Sequence, residues 1–210
     1  MLKVQFGCGH SQPSGWENYD SSPSLFIARI PLSRSIAKAI IPFLGKNNFS
    51  DFKQIFQNIA STKALYGDVI KGLPIKSNSV DLLYASHVLE HIPFRSFQKS
   101  LKECRRILNN EGIFRLCVPD FKYYINNYLN SKSNTKSIDF CLDTLLGMEY
   151  YPNIFTRMRG DKHQIMFDEE TLYNQLELAG FHQIRSASFG DSTEKAFLEV
   201  EEEISWPRPQ

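Results

Sequence analysis

The chain lacks an excess of charge of either sign: 24 Lys and Arg stand against 23 Asp and Glu, a net charge of +1. That balance supplies no long-range field for counterion-release binding to DNA or RNA, so nucleic acid is not an expected partner. Cysteine is scarce and unpaired in pattern. Cys8, Cys104, Cys117 and Cys141 form no Cys-x-x-Cys spacing, which argues against a secreted disulfide scaffold and for reduced thiols. No run approaches the ~20 apolar residues that span a bilayer, and the opening MLKVQFGCGH has no signal-peptide apolar stretch. The expected location is the cytoplasm. Repeats and low-complexity tracts are absent as well. What is present is a composition of 42% hydrophobic and 22% charged residues, which excludes a disordered chain and suits one globular domain over residues 1–210.

Lys3 to Phe6 is a short apolar-alternating run that ends in Gly7-Cys8-Gly9, a first strand delivered into a tight glycine turn. Trp16 to Tyr19 reads as a second strand stopping at Asp20. From about 21 to 61 helical spacing takes over, in Ile36, Ile40, Ile41 and Leu44 and again in Phe52, Ile55, Phe56 and Ile59, broken by Pro31, Pro42 and Gly45. Ala64 to Tyr66 is a third strand before Gly67-Asp68. The continuous apolar run Val80 to Tyr84 reads as a buried parallel strand. Phe97, Leu101, Cys104 and Leu108 fall at helical intervals, closed by Asn109, Asn110 and Gly112, and Ile113 to Val118 forms a fifth strand ending at Pro119-Asp120. Residues 121 to about 165 make a cover, helical at first and then aromatic around Tyr150, Tyr151 and Phe155. Asp168 caps a helix running to Ala179, stopped by Gly180. His182 to Phe189 and Ala196 to Ile204 alternate as two last strands. About seven strands with helices between most of them predict an α/β open sheet, mostly parallel.

In such sheets ligands sit at the carboxyl ends of the strands, where strand order reverses. The first strand delivers Gly7-Cys8-Gly9, where missing side chains admit a close backbone approach. The second delivers Asp20, placed to accept from a ribose hydroxyl pair, and the third Asp68. The fourth delivers Ala85, Ser86 and His87, then Glu90 and His91, and the fifth Asp120. Alone the Gly-x-Gly pair is a common structural turn; successive strands ending in small or acidic residues are the stronger signal. A nicotinamide dehydrogenase would want Gly-x-Gly-x-x-Gly, whereas His10, Ser11 and Gln12 follow Gly9.

FGCG followed by GWENYD, then YGDVIKGLP, SVDLLYASHVLEHIP, ECRRILNNEGIFRLCVPDF and FDEETL with LELAGF resemble, in the right order and over most of the chain, the class I S-adenosylmethionine-dependent methyltransferases, specifically the type 11-like branch. The resemblance implies a Rossmann-like seven-stranded sheet with an antiparallel last strand and helices on both faces, and S-adenosylmethionine as cofactor. It places Gly7, Cys8 and Gly9 under the methionine portion, Asp20 on the ribose, Asp68 beside the adenine amino group, Val69 against the base, and Ser86 and His87 near the sulfonium. Two features depart from the family: only ten residues lie between Gly9 and Asp20, and Asn110-Glu111-Gly112 stands for the usual Pro-Gly-Gly turn.

The chemistry implied is methyl transfer in which the protein aligns the acceptor and excludes water. A hydroxyl acceptor must lose a proton, and histidine is the default base near neutrality. His91, just past the fourth strand, and His163, in the RGDKH loop, are the candidates; a pocket-shaping or a solvent-facing histidine is the bland alternative for each. Arg157, Arg159 and Lys162 are placed to grip an anionic acceptor, or form a solvated basic loop. His87-Val-Leu-Glu90-His91 also matches the HxxEH pattern of zinc peptidases, but that arrangement needs a long helix and a third ligand, and Pro93 follows too soon. No metal is expected. The Asn-Pro-Pro-Tyr motif of adenine methylation is replaced by Val118-Pro119-Asp120-Phe121. Analogy with glycan-cluster enzymes points to a small or glycan-like acceptor. The rival reading is a binding module that keeps the cofactor pocket without turnover, as a partner subunit.

Between Asp20 and Asp51 there is no acidic residue, while Arg29, Arg34, Lys38 and Lys46 lie among many apolar residues. Two readings fit: a lid over the cofactor cleft, which is preferred, or a basic amphipathic segment on an anionic membrane surface.

Overall fold

The computed structural model describes residues 1–9, 11–43, 56–57, 59–145 and 162–201. Five strands, β1 (Lys3–Phe6), β2 (Glu17–Asp20), β3 (Leu65–Tyr66), β4 (Val80–Ser86) and β5 (Leu108–Cys117), form one sheet in the order β3-β2-β1-β4-β5. Every pairing is parallel. The order reverses between β1 and β4, so their carboxyl ends open side by side, and this crevice is where an α/β sheet accepts ligands.

β4 is buried on both faces, as its unbroken apolar run requires. Leu83 and Ala85 face one core with Val4, Phe6, Phe97, Leu101 and Ile107, whereas Leu82 and Tyr84 face another with Trp16, Phe197 and Val200. The first core is closed by α3 (Phe94–Ile107), whose Phe97, Ser100, Leu101, Cys104 and Ile107 are buried at helical spacing. Each of its large apolar side chains contributes roughly 1.5–3 kcal/mol on burial. The sequence reading closed this helix with Asn109 to Gly112; instead the helix passes directly into β5 at Leu108, and the register between Val80 and Leu82 shifts to absorb the extra residues. Gly112 is needed there because a Cβ would come within 2.8 Å of the Val80 carbonyl oxygen.

Glu103, on α3, receives the Leu73 amide at 2.7 Å and the Arg106 guanidinium at 2.7 Å. Burial alone would raise its carboxyl; the Arg106 and Leu73 contacts outweigh that and hold it below the ordinary carboxylate range. A carboxyl depressed by folding contributes stability above its unfolded pKa and loses it as pH falls through the folded one. Glu103→Gln is therefore expected to lower stability at neutral and alkaline pH while changing little in acid, where the carboxyl is protonated in both states, as measured by urea unfolding across pH.

Of the helical spacing expected in the insert, the run at Ile36 and Ile40 forms α2 (Ser33–Ile40), and α1 (Pro23–Ala28), which the spacing did not mark, precedes it. They bury Leu25, Ala28 and Ala37 against Cys8, Ile59 and Ala64, yet leave Phe26, Ile30, Leu32 and Ile36 exposed. Leu44, Phe52 and Ile55 lie outside the described residues. The cover contains α4 (Phe121–Asn130) and α5 (Lys136–Leu145), joined through Tyr128 and Phe140 with ring centroids 5.4 Å apart. Tyr150, Tyr151 and Phe155 lie outside the description. Asp168 caps α6 (Glu169–Leu178) by accepting from the Thr171 amide at 2.9 Å, as its position ahead of two glutamates predicts. No helix among the described residues is long and apolar enough to cross a membrane.

Seven strands with an antiparallel last one are not what forms: among the described residues the sheet has five, and neither 182–189 nor the described part of 196–204 is a strand. Lys195–Glu199 is a 3-10 helix, because Phe197 turns inward against Trp16 and Tyr84 on one sheet face. Residues 182–191 are held by side chains in place of a ladder. The Arg115 guanidinium donates to the carbonyls of Ser188 and Asp191, and Arg185 pairs with the Asp191 carboxylate. A cavity of about 760 Å³ consequently runs along the outer edge of β5, lined there by residues such as Ile113, Phe181 and Ile184.

Candidate active site

At the end of β1 the chain turns through Gly7 and Gly9, both left-handed, with φ of 64° and 50°. Gly7 has no space for a side chain: a Cβ there would meet Val88 Cγ2 at 2.2 Å. Gly9 is the opposite case, with nothing within 4 Å of its Cβ position. Asp20, at the end of β2, holds this turn. One carboxylate oxygen accepts from the Gly9 amide at 2.9 Å and the other from the Ser22 amide at 2.6 Å. The shortened link between β1 and β2 is thereby tied by a side chain in place of a helix.

Cys8, between the glycines, faces away. Its amide donates to the Tyr19 carbonyl, its carbonyl accepts from Ser11, and its side chain is buried with Leu25 and Ile59. Burial, reinforced by the Asp20 charge, pushes the thiol up to about 12. Asp68 accepts from the Ile70 amide at 3.0 Å and pairs with Lys71 at 3.0 Å, which shapes the loop after β3. Val69 is buried in the first core.

β4 ends at Ser86, and His87 then adopts φ of 52°, a left-handed conformation that a β-bearing residue takes only under constraint. Its amide donates to the Cys117 carbonyl. Its ring lies between Cys117, with Nε2 at 4.0 Å from Sγ, and Glu90, with Nδ1 at 3.2 Å from Oε1. The Cys117 sulfur and the Glu90 carboxylate together raise His87 to about 10. The following residues Leu89–His91 make a 3-10 turn, so the long helix of a zinc peptidase does not form.

Glu90 is fully buried in that turn; its Oε1 faces His87 Nδ1, and its Oε2 has no hydrogen-bond partner among the described residues. His91 Nε2 lies 3.8 Å from Glu90 Oε1. The residues after His163 dock on the same turn: the Gln164 and Ile165 amides donate to the Glu90 carbonyl at 2.7 and 3.2 Å, and Gln164 Nε2 donates to the His91 carbonyl at 2.8 Å. The His91 and His163 rings are brought to 4.9 Å between centroids. His163 Nδ1 lies 3.0 Å from the Thr144 carbonyl oxygen, which only accepts, so Nδ1 carries the proton and Nε2 the lone pair. Burial pushes His163 below the ordinary imidazole value.

The two catalytic candidates are thus neighbours, 72 positions apart in sequence (163 minus 91). Glu90, which the sequence marked after the fourth strand and within the HxxEH pattern but without a role, lies between them and His87. Its signal was an acidic residue inside the apolar stretch Val88, Leu89 and Ile92. Asp120 caps α4 by accepting from the Lys122 amide at 2.9 Å. Lys162 is exposed, and Arg157 and Arg159 lie outside the described residues.

A family model described as a methyltransferase domain matches residues 46–116. That segment contains Asp68, Val69, Ser86, His87, Glu90 and His91. No curated protein is matched. Among solved structures, an S-adenosylmethionine-dependent methyltransferase from Thermotoga maritima is 15% identical with a TM-score of 0.43, over 87% of this chain and 64% of that one. One from Archaeoglobus fulgidus is 14% identical with a TM-score of 0.45, over 87% of this chain and 62% of that one. This chain therefore spans less than two thirds of either. A third, from Mesorhizobium loti, is 16% identical with a TM-score of 0.45, over 98% of this chain and 86% of that one. The matched segment, which carries β3, β4, α3 and most of β5 of the parallel sheet, is thus similar to a methyltransferase domain.

Proposed function

We propose that the chain is an S-adenosylmethionine-dependent methyltransferase that methylates a hydroxyl of a small or glycan-like acceptor. The observation that carries this reading is the crevice between β1 and β4, where an open glycine turn braced by Asp20 faces the strand end that leads into a cluster of three histidines. The residues fit the cofactor: Gly9 leaves open space where a Cβ would stand, and Asp20, Asp68 and Ser86 border the same sheet edge. Gly9 would take the methionine portion, Asp20 the ribose, and Asp68 with the Val69 backbone the adenine. When bound, the cofactor supplies an electrophilic methyl group; the protein supplies position and a proton acceptor.

His163 suits the second task. Its low basicity keeps it neutral at pH 7, and its Nδ1–H is committed to Thr144, so Nε2 is free to receive the acceptor proton. His91 beside it completes the pair. The choice of a hydroxyl rests on this imidazole pair and on the absence of the adenine-methylating motif.

Calorimetric titration with S-adenosylmethionine, S-adenosylhomocysteine and NAD tests the cofactor. Micromolar binding of both adenosyl compounds, no binding of NAD, and at least about tenfold weakening in Asp20→Ala are expected, since one charged hydrogen-bonding group is worth about 1.5–3 kcal/mol. Absence of adenosyl binding by the folded protein would end this reading. Release of S-adenosylhomocysteine with sugar or phenol acceptors, lost in His163→Ala with cofactor affinity retained, tests the chemistry.

A further inference from the structure

Glu90, His91 and His163 form a group whose chemistry is larger than proton transfer. Each offers one ligand atom, and the three atoms lie within 4.8 Å of one another. The carboxylate is fully buried; Oε1 faces the His87 imidazole, and Oε2 has no hydrogen-bond partner among the described residues. A buried carboxylate oxygen without a donor is costly, and an imidazole on Oε1 leaves Oε2 unmet. The side chain of His87, 40% exposed, reaches only one of the two oxygens, Oε1, at 3.2 Å.

We propose that Glu90, His91 and His163 bind a divalent first-row transition cation, with Zn²⁺ the fitting probe, at the acceptor side of the crevice. One carboxylate and two imidazoles make a mixed oxygen and nitrogen donor set, which suits Zn²⁺, Fe²⁺ or Mn²⁺, whereas Mg²⁺ and Ca²⁺ prefer oxygen alone. Metal–ligand bonds of about 2.0–2.2 Å draw ligand atoms to roughly 3–3.5 Å apart, so the site closes by side-chain adjustments of an ångström or so.

Its support is already built. The Thr144 carbonyl accepts from His163 Nδ1 at 3.0 Å, which fixes the tautomer and presents Nε2, the arrangement in which a second shell orients a metal-binding histidine. The Gln164 and Ile165 amides on the Glu90 carbonyl, and Gln164 Nε2 on the His91 carbonyl, lock the third ligand's loop to the turn that carries the other two. The helix that the HxxEH pattern of a peptidase would need is therefore not required: Glu90 itself is a ligand, and the missing third ligand is His163.

Three protein ligands leave positions open for an acceptor oxygen. When bound, a cation there would lower the pKa of a coordinated hydroxyl, whose proton leaves to water, and His163 Nε2 serves as the base only in the metal-free protein. This role rests on the methyltransferase reading; the binding itself does not.

The test uses the full chain carrying Cys141→Ser, because the exposed Cys141 thiol is a competing zinc ligand. After removal of metal by chelator, Zn²⁺, Mn²⁺ and Mg²⁺ are titrated by calorimetry, and Co²⁺ is titrated by visible absorption. One equivalent of Zn²⁺ at micromolar affinity or tighter, a Co²⁺ spectrum of a nitrogen-and-oxygen site, and no comparable Mg²⁺ binding are expected. Glu90→Gln and His163→Ala should each weaken Zn²⁺ by at least about 100-fold. Zn²⁺ should raise the thermal midpoint of the parent protein but not of Glu90→Gln, which keeps the side-chain shape and removes a buried charge. No stoichiometric binding, or equal affinity in both variants, would overturn the proposal. A parallel titration with S-adenosylmethionine separates the two readings: a protein that binds zinc but no cofactor keeps the cation site and loses the methyltransferase role, and one that binds cofactor but no zinc does the reverse.

Discussion

Gly7→Ala is expected to destabilise the protein by about 2–5 kcal/mol and to remove cofactor binding, whereas Gly9→Ala should fold and lose only the second. Both glycines have positive φ, and forcing an L side chain into that region costs roughly 1–2 kcal/mol. At Gly7 the methyl group also meets Val88 Cγ2 at 2.2 Å and Cγ1 at 2.9 Å. Val88 is packed against the first core and follows His87, itself left-handed, so its retreat would drag the Glu90 turn. Overpacking of this sort adds typically about 1–3 kcal/mol. At Gly9 nothing stands within 4 Å, so the folding cost is the conformational part alone, but the added methyl group occupies the space assigned to the cofactor.

The steric part can be isolated. Combining Gly7→Ala with Val88→Ala should restore part of the loss, giving a favourable coupling in a double-mutant cycle, while the φ penalty remains. Urea midpoints of the four proteins give the answer, and an unchanged midpoint for Gly7→Ala would show that the turn is not packed under Val88.

The second large effect is expected at Arg115. Its side chain is buried on β5 and paired with Glu201, whose carboxylate is also buried. The guanidinium further donates to Asp191 and Ser188 carbonyls at 2.9 and 2.8 Å, and Glu201 accepts from the Gly190 amide at 3.0 Å. Arg115→Met leaves a buried carboxylate without its partner, and breaking such a pair costs about 3–5 kcal/mol. Adding Glu201→Met should recover part of this, because two apolar side chains need no solvation. Arg115→Lys should rescue poorly, since one ammonium group cannot reach three acceptors in the fork geometry of guanidinium. Thermal unfolding measures the loss, and limited proteolysis should cut first within 186–201. A double variant no more stable than Arg115→Met would place the cost in the lost carbonyl contacts and not in the stranded charge.

These two sites differ in how far the chain alone revealed them. The glycine turn, Asp20 at the second strand end and the buried run of β4 were legible because each is a local property: backbone freedom, residue spacing and unbroken apolarity act within a few positions. The cap at Asp168 was legible for the same reason. Arg115 gave no such signal. It sits within a strand without a motif around it, and its partner lies 86 positions later (201 minus 115).

The last two strands were misjudged because alternation in 182–189 and 196–204 describes a half-buried segment without saying what pairs with its backbone. Arg115 and Phe197 settle that by capturing carbonyls and filling the sheet face, and a side chain contact of this kind has no short-range trace. The candidate site divides along the same line. The sequence by itself determined the parallel α/β frame, the glycine turn and the small and acidic residues at the strand ends, since periodicity and spacing are written locally. Only the tertiary structure decided that Glu90 is buried and that His163 joins His91 beside it, because that meeting depends on hydrogen bonds between segments far apart in the chain.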